Sequence, residues 1–198
     1  MDEKQECFRI MEGIHKSLSN GIRSAKAYAP REWLKQRKLS AEITGACFNS
    51  GQIHHRKPEE YIRELESVGF LVKVQEISGR GNPGYATFQS NAVVFPLRDE
   101  KDKVVNFFGI NIKNGKTRYM NDRGIYPAFP KEGTKKLYIV PGIMDAATLM
   151  ESKVMDNREA VMALFDGKYK DQHREVLKAF AGKLDQIIFV KTKEREEQ

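Results

Sequence analysis

Residues 137–150, LYIVPGIMDAATLM, contain the residue types whose order comes closest to a catalytic site. An apolar strand at 137–140 is followed by a turn at Gly142 and by a helix rich in small residues. Asp145, in that helix, could bind a hard cation or cap the helix. Pro141 stands between the strand and the glycine, and proline has no carboxylate that could bind Mg²⁺ or accept a proton. The segment is therefore predicted to be a strand–turn–helix unit in which Asp145 is the one acidic residue.

Histidines and cysteines offer little further chemistry. His54 and His55 are adjacent, so their side chains diverge on a helix or a strand and cannot easily face one metal ion. A structural or phosphate-contact role is the favoured interpretation for this pair. Cys7 and Cys47 lie far apart and form no CxxC pair, so neither a zinc ribbon nor a disulfide framework is indicated. The sequence predicts no metal ion or cofactor at these positions.

The chain has 198 residues, a net charge of +7 and a pI of about 9.3. This basic excess favours an acidic partner, nucleic acid before membrane, while a merely solvated basic surface explains it equally well. No apolar run approaches the ~20 residues of a membrane span, and the N-terminus has no signal-peptide hydrophobic region. We therefore expect a soluble cytoplasmic protein of one compact domain or two small ones.

The N-terminal third has helical patterns. Apolar residues recur at near-helical spacing from position 8 to position 18, and a loose Ser/Asn/Gly stretch follows at 17–24. Pro30 suits the first turn of a helix, and Ser40 is predicted to cap a short helix. Pro58 opens another helix that Gly69 ends. The predicted helices after the first one cover residues 31–37, 41–44 and 58–68.

The middle of the chain has the pattern of an antiparallel meander. Strands are predicted at residues 71–77, 85–88, 92–97, 103–112 and 117–120. Tight turns are predicted at residues 99–102 and at Asn114-Gly115. The Gly-rich stretch GRGNPG at 79–84 joins two strands and opens no helix, so it is predicted to be a hairpin turn and not a phosphate-binding loop.

The C-terminal part alternates between strand and helix patterns, which indicates a parallel sheet. Its elements are predicted at residues 137–140 (strand), 144–150 (helix), 160–165 (apolar run), 171–183 (helix) and 186–190 (strand). Together these patterns divide the chain into a helical segment, an antiparallel subdomain and an α/β subdomain. The expected bounds are 1–57, 58–130 and 131–198.

Three stretches resemble the polymerase core of bacterial DnaG-type primases, particularly the primase-like proteins of mobile elements. They are REWLKQRKLS…FNSGQIHHR at 31–56, VVFPLRDEKDKVVNFFGINIKNGKTRYMN at 93–121 and LYIVPGIMDAATL at 137–149. The middle stretch resembles the family's FPIRD…GFGGR…KYLN hairpin region, and the last resembles its VxEGxxDxxAL Toprim motif. The resemblance implies an α/β (α+β) fold, with a helical entry, an antiparallel sheet subdomain and a reduced Toprim-like parallel βαβ unit.

The same resemblance implies that the catalytic acids are lost. The Toprim Glu, which acts beside bound Mg²⁺ in that family, corresponds to Pro141. The family's Asp-x-Asp pair corresponds to Lys191 and Lys193, and lysines there would repel Mg²⁺. In an alternative alignment, LFDG at 164–167 matches the family's FDGD motif and keeps one acid, Asp166. The resemblance therefore implies no catalytic residues and no resident metal.

Nucleic-acid binding is the capability that the resemblance leaves. The residues that correspond to the family's template-contacting region, or lie beside it, are Arg98, Lys113, Lys116, Arg118, Tyr119, Asn121 and Arg123. Guanidinium groups suit phosphates, and Tyr119 offers a stacking face for a base. The family's Arg-rich RFRxR stretch corresponds to TFQSN at 87–91, which has no positive charge. We therefore expect modest, salt-sensitive binding (~10⁻⁴–10⁻⁶ M), and ordinary solvation of turn residues remains an alternative for Lys113, Lys116 and Arg123.

Three hypotheses follow from the sequence. The first is a catalytically silent primase-like protein that binds single-stranded DNA or RNA, or docks on the replication or transfer machinery of a mobile element, without a cofactor. The second is a divergent nucleotidyl transferase that uses Mg²⁺ near Asp145 or Asp166. The third is a protein-interaction module whose basic surface is incidental. No membrane partner is expected in any of the three.

Overall fold

The computed structural model describes residues 2–74, 84–152 and 155–190, and every structural statement below refers to these. The α-helices among them are α1 (Glu3–Arg23), α2 (Tyr28–Gln36), α3 (Ala41–Thr44), α4 (Glu59–Ser67), α5 (Ile143–Ser152) and α6 (Asp171–Ala179). The strands are β1 (Cys47–Asn49), β2 (Leu71–Val74), β3 (Gly84–Thr87), β4 (Ala92–Arg98), β5 (Val104–Asn111), β6 (Thr117–Tyr119), β7 (Lys136–Val140), β8 (Glu159–Ala163) and β9 (Gln186–Phe189).

The predicted mixture of an antiparallel and a parallel sheet is confirmed. The larger sheet is antiparallel, with the strand order β1-β4-β5-β6, and β2 and β3 form a separate two-stranded sheet. The predicted strands of this region are present with ends that differ by one or two residues, except that the prediction for 71–77 ends at Val74 within the described residues. Its last residues and most of the predicted GRGNPG turn lie outside the described residues.

One strand of the antiparallel sheet was not predicted. β1 lies in the segment 1–57, which was expected to be helical, and its Phe48 is aligned with Val93 of β4. Three residues are too few to show a period of two, so only pairing with β4 defines this strand. The N-terminal segment therefore supplies helices and also an edge strand of the central sheet.

Helix α1 is longer than predicted. The Ser/Asn/Gly stretch at 17–24 was expected to be loose, but the helix continues to Arg23 and buries Leu18 and Ile22. Gly21 lets α1 approach β1 closely, because a Cβ at this position would lie 2.7 Å from the carbonyl oxygen of Phe48. Burial of the apolar face thus outweighs the low helix propensity of glycine, serine and asparagine.

Strand β4 is buried on both faces because helices or the parallel unit cover each side. Val93, Phe95 and Leu97 face a core shared with α2, α3 and α5. Ala92 and Val94 face a second core, which contains most of the buried residues of α1 and the buried Leu65 of α4. Alternate residues of one strand therefore belong to different cores, as the pleat requires.

The C-terminal unit is the predicted parallel sheet. Its strand order is β8-β7-β9, and β7 pairs in parallel with both neighbours. Helix α6 packs on this sheet through Val176, and it ends at Ala179 and not at the predicted position 183. The chain turns after Phe180, where Gly182 has a φ of +73°. Among the described residues, no helix is long and apolar enough to cross a membrane.

Side-chain and backbone contacts join the antiparallel and parallel parts. Tyr126 forms an isolated antiparallel bridge with Ala163 of β8. The Tyr126 hydroxyl, which is almost fully buried, donates a hydrogen bond of 2.8 Å to the carbonyl oxygen of Thr44. The backbone N–H of Ser40 donates to the carboxylate of Glu151 at the end of α5. These contacts link the helical entry to α5 and to β8.

Candidate functional site

The carboxyl ends of β7 and β8 form the crevice where a parallel sheet most often binds ligands. Pro141 and Gly142 connect β7 directly to α5, as the sequence predicts. The carbonyl oxygen of Pro141 accepts a hydrogen bond of 2.7 Å from the backbone N–H of Gly167. The turn after β7 is thereby tied to the turn after β8, and the correspondence of Pro141 with the Toprim acid stays a prediction.

Two carboxylates meet at this crevice. The point where a Cβ of Gly142 would stand lies 3.5 Å from Oδ2 of Asp145 and 3.9 Å from Oδ1 of Asp166. Asp145 lies in the first turn of α5, and Asp166 lies in the turn after β8 with a φ of 50°. Asp145 and Asp166 were the two acids that the sequence indicated as possible metal ligands, and in the structure both carboxylates lie beside Gly142.

This crevice is poorer in ligands than a protein metal site usually is. Among the described residues, no group of three or more His, Cys, Asp or Glu side chains could hold a metal ion. Mg²⁺ can be held by one or two carboxylates together with substrate phosphates. Lys191 and Lys193, which were aligned with the Asp-x-Asp pair, lie outside the described residues, so their place beside the crevice stays a prediction. The last described backbone contact before them is the hydrogen bond from Val190 N–H to Ile139 O, 2.9 Å long.

The ring of Tyr119 lies between the two sheets. It stacks on Phe165 with a centroid separation of 4.2 Å and an interplanar angle of 20°, and it lies 4.6 Å from the ring of Phe108. Its hydroxyl is buried without a hydrogen-bond partner. Burial and, to a lesser degree, the negative charge of Asp166 raise the pKa of this phenol. These contacts give Tyr119 a packing role, and its proposed stacking with a base stays a prediction.

Arg118 and Tyr119 point to opposite faces of the sheet. Arg118 is aligned with Gly109 across the β5–β6 ladder, whereas Tyr119 is aligned with Phe108. Because neighbouring residues of a strand alternate between the faces, the two side chains cannot act as one phosphate-and-base clamp on the same face. Arg118 is exposed and lies on β6, the edge strand of the sheet. It can reach an extended ligand that runs along this edge.

Two lysines lie beside Arg118. Lys113 and Lys116 are exposed in the turn between β5 and β6. The side chain of Asn111 accepts from the N–H groups of Lys113 and Asn114 and so holds this turn. We call Lys113, Lys116 and Arg118 the basic edge, because Arg118 lies on the edge strand β6 and the two lysines lie in the turn that leads to it.

The other predicted binding residues lie near the opposite end of β5. Arg98 is aligned with Val104, five residues or about 17 Å along β5 from the partner of Arg118. The Arg98 Nη1 donates to the carbonyl oxygen of Asp102 at 2.8 Å. The predicted residues therefore do not form one patch.

Asn121 has a structural role in the loop after β6. Its amide nitrogen donates to Val105 O at 2.9 Å, and its Oδ1 accepts from the N–H of Arg123 at 2.8 Å. The buried Asn106 completes the arrangement by donating to the carbonyl oxygens of Asn121 and Arg123. Arg123 itself is exposed. Contact of Asn121 and Arg123 with nucleic acid stays a prediction.

Two residues of this region, Phe165 and Gln89, were not predicted from the sequence. Phe165 was assigned to an apolar run, and its stacking on Tyr119 depends on the approach of the two sheets. Gln89 lies in the stretch where the family has arginines, and its Nε2 donates to Lys116 O at 3.2 Å. Only the uncharged character of residues 87–91 was visible beforehand.

The adjacent histidines occupy a turn, neither a helix nor a strand. The rings of His54 and His55 meet edge to face with centroids 4.5 Å apart, and His54 also lies near Tyr85. Burial, followed by the charge of His55, lowers the pKa of His54. Among the described residues, no third His, Cys, Asp or Glu joins this pair in a group that could hold a metal ion, and a structural or phosphate-contact role for the pair stays a prediction.

Comparisons with known proteins agree with this architecture. No protein-family model matches the chain. The DNA primase of Salmonella typhimurium is 24% identical over 170 residues, and that of Escherichia coli K12 is 26% identical over 172 residues. Each alignment covers 75% of this chain and 28% of the relative, so the chain spans less than a third of the curated relatives it matches.

Solved structures give the same result for the fold. The DnaG primase catalytic domain bound to single-stranded DNA superposes with a TM-score of 0.74 over 97% of this chain and 62% of that chain, at 18% identity. The RNA polymerase domain of Mycobacterium tuberculosis primase DnaG, in complex with double-stranded DNA, superposes with a TM-score of 0.70 over 99% of this chain and 67% of that chain, at 14% identity. The chain therefore has the fold of DnaG primase catalytic cores, with an antiparallel sheet and a Toprim-type parallel sheet. In sequence it is similar to bacterial DnaG-type DNA primases.

Proposed function

We propose that this protein binds single-stranded nucleic acid and does not polymerise nucleotides. The observation that carries the proposal is Pro141, which follows the central strand β7 directly where the Toprim motif has its acid. Proline can neither coordinate a divalent ion through its side chain nor transfer a proton. A fold that retains the primase architecture without this acid is suited to binding.

The basic edge is the proposed contact surface for the strand. Three exposed cations, Lys113, Lys116 and Arg118, extend from one end of the sheet. Single-stranded binding that neutralises three phosphates gives a log–log salt slope of about −2. The affinity is modest because the stretch 87–91 adds no cation. Contributions of Arg98, Tyr119, Asn121 and Arg123 are part of the proposal but are not needed for it.

The class of ligand is supported by a solved relative, a DnaG catalytic domain that was determined with bound single-stranded DNA. The choice between DNA and RNA is left to experiment. We further propose that the protein acts in the cytoplasm, together with replication or transfer proteins of a mobile element, because the stretches at 31–56 and 93–121 resemble primase-like proteins of such elements.

A fluorescence-anisotropy titration of labelled oligo-dT tests the proposal. Binding should weaken as salt rises, and Arg118→Glu should weaken it about tenfold or more. Arg63→Glu is the matched control, because Arg63 is an exposed arginine on α4, outside the basic edge, and the change in net charge is the same. Binding that ignores both salt and Arg118→Glu would favour the third hypothesis, a protein-interaction module.

A second candidate function rests on the two acids at Gly142. Asp145 and Asp166 approach this glycine from two turns, so a divalent ion with substrate phosphates could still find two carboxylates there. Template-directed primer synthesis with Mg²⁺ or Mn²⁺, in the presence and absence of EDTA, is the test. Primers that form, and that disappear with EDTA or with Asp145→Asn, would establish a divergent nucleotidyl transferase and refute the binding-only proposal.

A further inference from the structure

A second surface of this protein has the properties of a ligand site. A groove of about 1130 Å³ lies between α1, the α2–α3 segment, β4 and residues 126–127. Its lining residues include neither of the crevice acids, Asp145 and Asp166, and no residue of the basic edge. The groove is therefore distinct from the crevice at Gly142 and from the basic edge.

The charged side chains of the groove are mainly cationic. Its lining contains Arg23, Arg31, Arg98 and His15, against a single acid, Glu42. His15 and Arg23 are eight residues apart on α1, or about 12 Å along the helix axis, and Arg98 lies near His15, so arginines are present at both ends of this part of the groove. Arg98 is close enough to His15 to add to the lowering of the histidine pKa that burial causes.

Between these cations the lining is apolar. The apolar residues that line the groove are Ile22, Leu34, Leu39, Ala41, Ile43, Ala46, Pro96 and Pro127. Ile22, Leu34 and Leu39 are almost fully buried, so they form a fixed floor rather than a mobile rim. A ligand that fits this lining must combine a flat apolar part with negative charge.

The walls of the groove are held by hydrogen bonds. Arg31 Nη1 donates to Ile22 O at 3.0 Å and to Ser24 O at 2.7 Å, which fixes the end of α1 against α2. The Tyr126 hydroxyl fixes the end of α3 through Thr44 O. Ser40 Oγ accepts from Ile43 N–H at 3.2 Å and so caps α3. The groove is preformed, which lowers the entropy cost of binding.

We propose that this groove binds a nucleotide, with the base against the apolar floor and the phosphates at the arginines. Guanidinium groups bind phosphate oxygens through strong charge-assisted hydrogen bonds. Ligand pockets of small molecules typically occupy about 300–1000 Å³, so the groove has room for a mononucleotide. Arg98 is held in place by Asp102, whose Oδ1 lies 3.6 Å from Nε and whose carbonyl oxygen accepts from Nη1. The proposal is independent of strand binding at the basic edge.

The test measures binding of ATP carrying an N-methylanthraniloyl fluorophore to the full chain in the presence of EDTA. EDTA removes divalent ions, so metal-dependent binding at Asp145 and Asp166 cannot contribute. We expect saturable binding that unlabelled ATP displaces at least about tenfold more effectively than adenosine, which lacks phosphates. Arg23→Gln and Arg98→Gln should each reduce the affinity, at least one of them by about tenfold.

Arg63→Gln is the control variant, because it removes an exposed arginine outside the groove. Arg31 is not used for the test, because its hydrogen bonds to the end of α1 stabilise the fold. Thermal melting of each variant separates loss of binding from loss of structure. Absence of saturable binding, or equal affinity of the Arg23→Gln, Arg98→Gln and Arg63→Gln variants, would overturn the nucleotide site. Oligo-dT binding and its loss in Arg118→Glu would be unaffected by either result.

Discussion

Tyr119 of β6 and Phe165 after β8 stack across the boundary between the antiparallel and the parallel sheet, with ring centroids 4.2 Å apart. The next residue after Phe165 is Asp166, one of the two acids at Gly142, and the residue before Tyr119 is Arg118 of the basic edge. The stacked pair therefore sets the distance between the crevice and the proposed binding surface. A rigid aromatic contact suits this role because its geometry is specific.

The unpaired hydroxyl of Tyr119 leads to the first prediction. Tyr119→Phe removes a buried polar atom that has no partner, so we expect the free energy of unfolding to rise by about 1 kcal/mol. Phe165→Ala, which removes the stacked ring, should lower it by about 3 kcal/mol or more. Urea denaturation of the two variants measures both effects. A destabilised Tyr119→Phe variant would mean that the hydroxyl has a partner in solution.

Two glycines of α1 provide a matched pair for the second prediction. Gly21→Ala places a Cβ 2.7 Å from Phe48 O, so either α1 or β1 must shift, and we expect a loss of about 1–3 kcal/mol. Gly13→Ala lies in the same helix with nothing within 4 Å of the added Cβ, so helix propensity should stabilise it by about 0.5–1 kcal/mol. Thermal unfolding of both variants measures the two changes in stability. Equal effects at the two positions would contradict the close approach of α1 to β1.

The third prediction concerns pH. His173 is fully buried, its Nδ1 accepts from Lys170 N–H at 2.8 Å, and its Nε2 lies 3.1 Å from Ala163 O. The ring is therefore neutral with its proton on Nε2, and burial is the main cause of its lowered pKa. The unfolded chain binds more protons than the folded one below the ordinary histidine pKa of about 6.5, so stability is complete above that pH and decreases as the pH falls.

Denaturation midpoints between pH 7.5 and pH 5 measure this loss. Burial lowers the pKa of His15 and of His54 in the same direction, so all three histidines contribute to the slope. His173→Gln keeps a donor and an acceptor but does not titrate, and its stability should depend less on pH than that of the unchanged protein. An identical pH dependence in the variant would show that folding does not change the pKa of His173.

The fourth prediction concerns an acid introduced at the crevice. Pro141→Glu adds a carboxylate directly after β7, next to the turns that carry Asp145 and Asp166. A third oxygen ligand should raise the affinity for Mn²⁺ about tenfold, or about 1.4 kcal/mol, and water-proton relaxation measures it. Asp145→Asn in the same background should cancel the gain. Unchanged Mn²⁺ affinity in Pro141→Glu would mean that the two existing acids do not face the restored position.

Several elements were predictable because their signals are local. The cap of α3 was predicted from Ser40, and the structure has the hydrogen bond from Ile43 N–H to Ser40 Oγ. β7 and α5 were predicted from an apolar run, a glycine and a run of small residues. β1 was missed because its three residues become a strand only by pairing with β4. The end of α1 was missed because packing against β1 overrides local propensity.

Some features of the candidate site could likewise be predicted from the sequence, whereas others required the fold. Pleat alternation alone could have separated Arg118 from Tyr119, because adjacent strand residues always point to opposite faces. The placement of Arg98 in the groove beside α1 required the register of β4 on β5 and the path of α1. The meeting of Asp145 with Asp166 required the parallel pairing of β7 with β8, which brings their following turns together.

The amino-acid sequence by itself determined which chemical groups are present. Pro141 has no carboxylate in any fold, and the charges of Lys113, Lys116 and Arg118 belong to the side chains themselves. Tertiary structure decided which of these groups are neighbours, because strand order and register set the distance between residues that are far apart in the chain. That is why the lack of a carboxylate at Pro141 was visible from the sequence, whereas the stacking of Tyr119 on Phe165 and the cationic groove beside α1 were visible only in the folded protein.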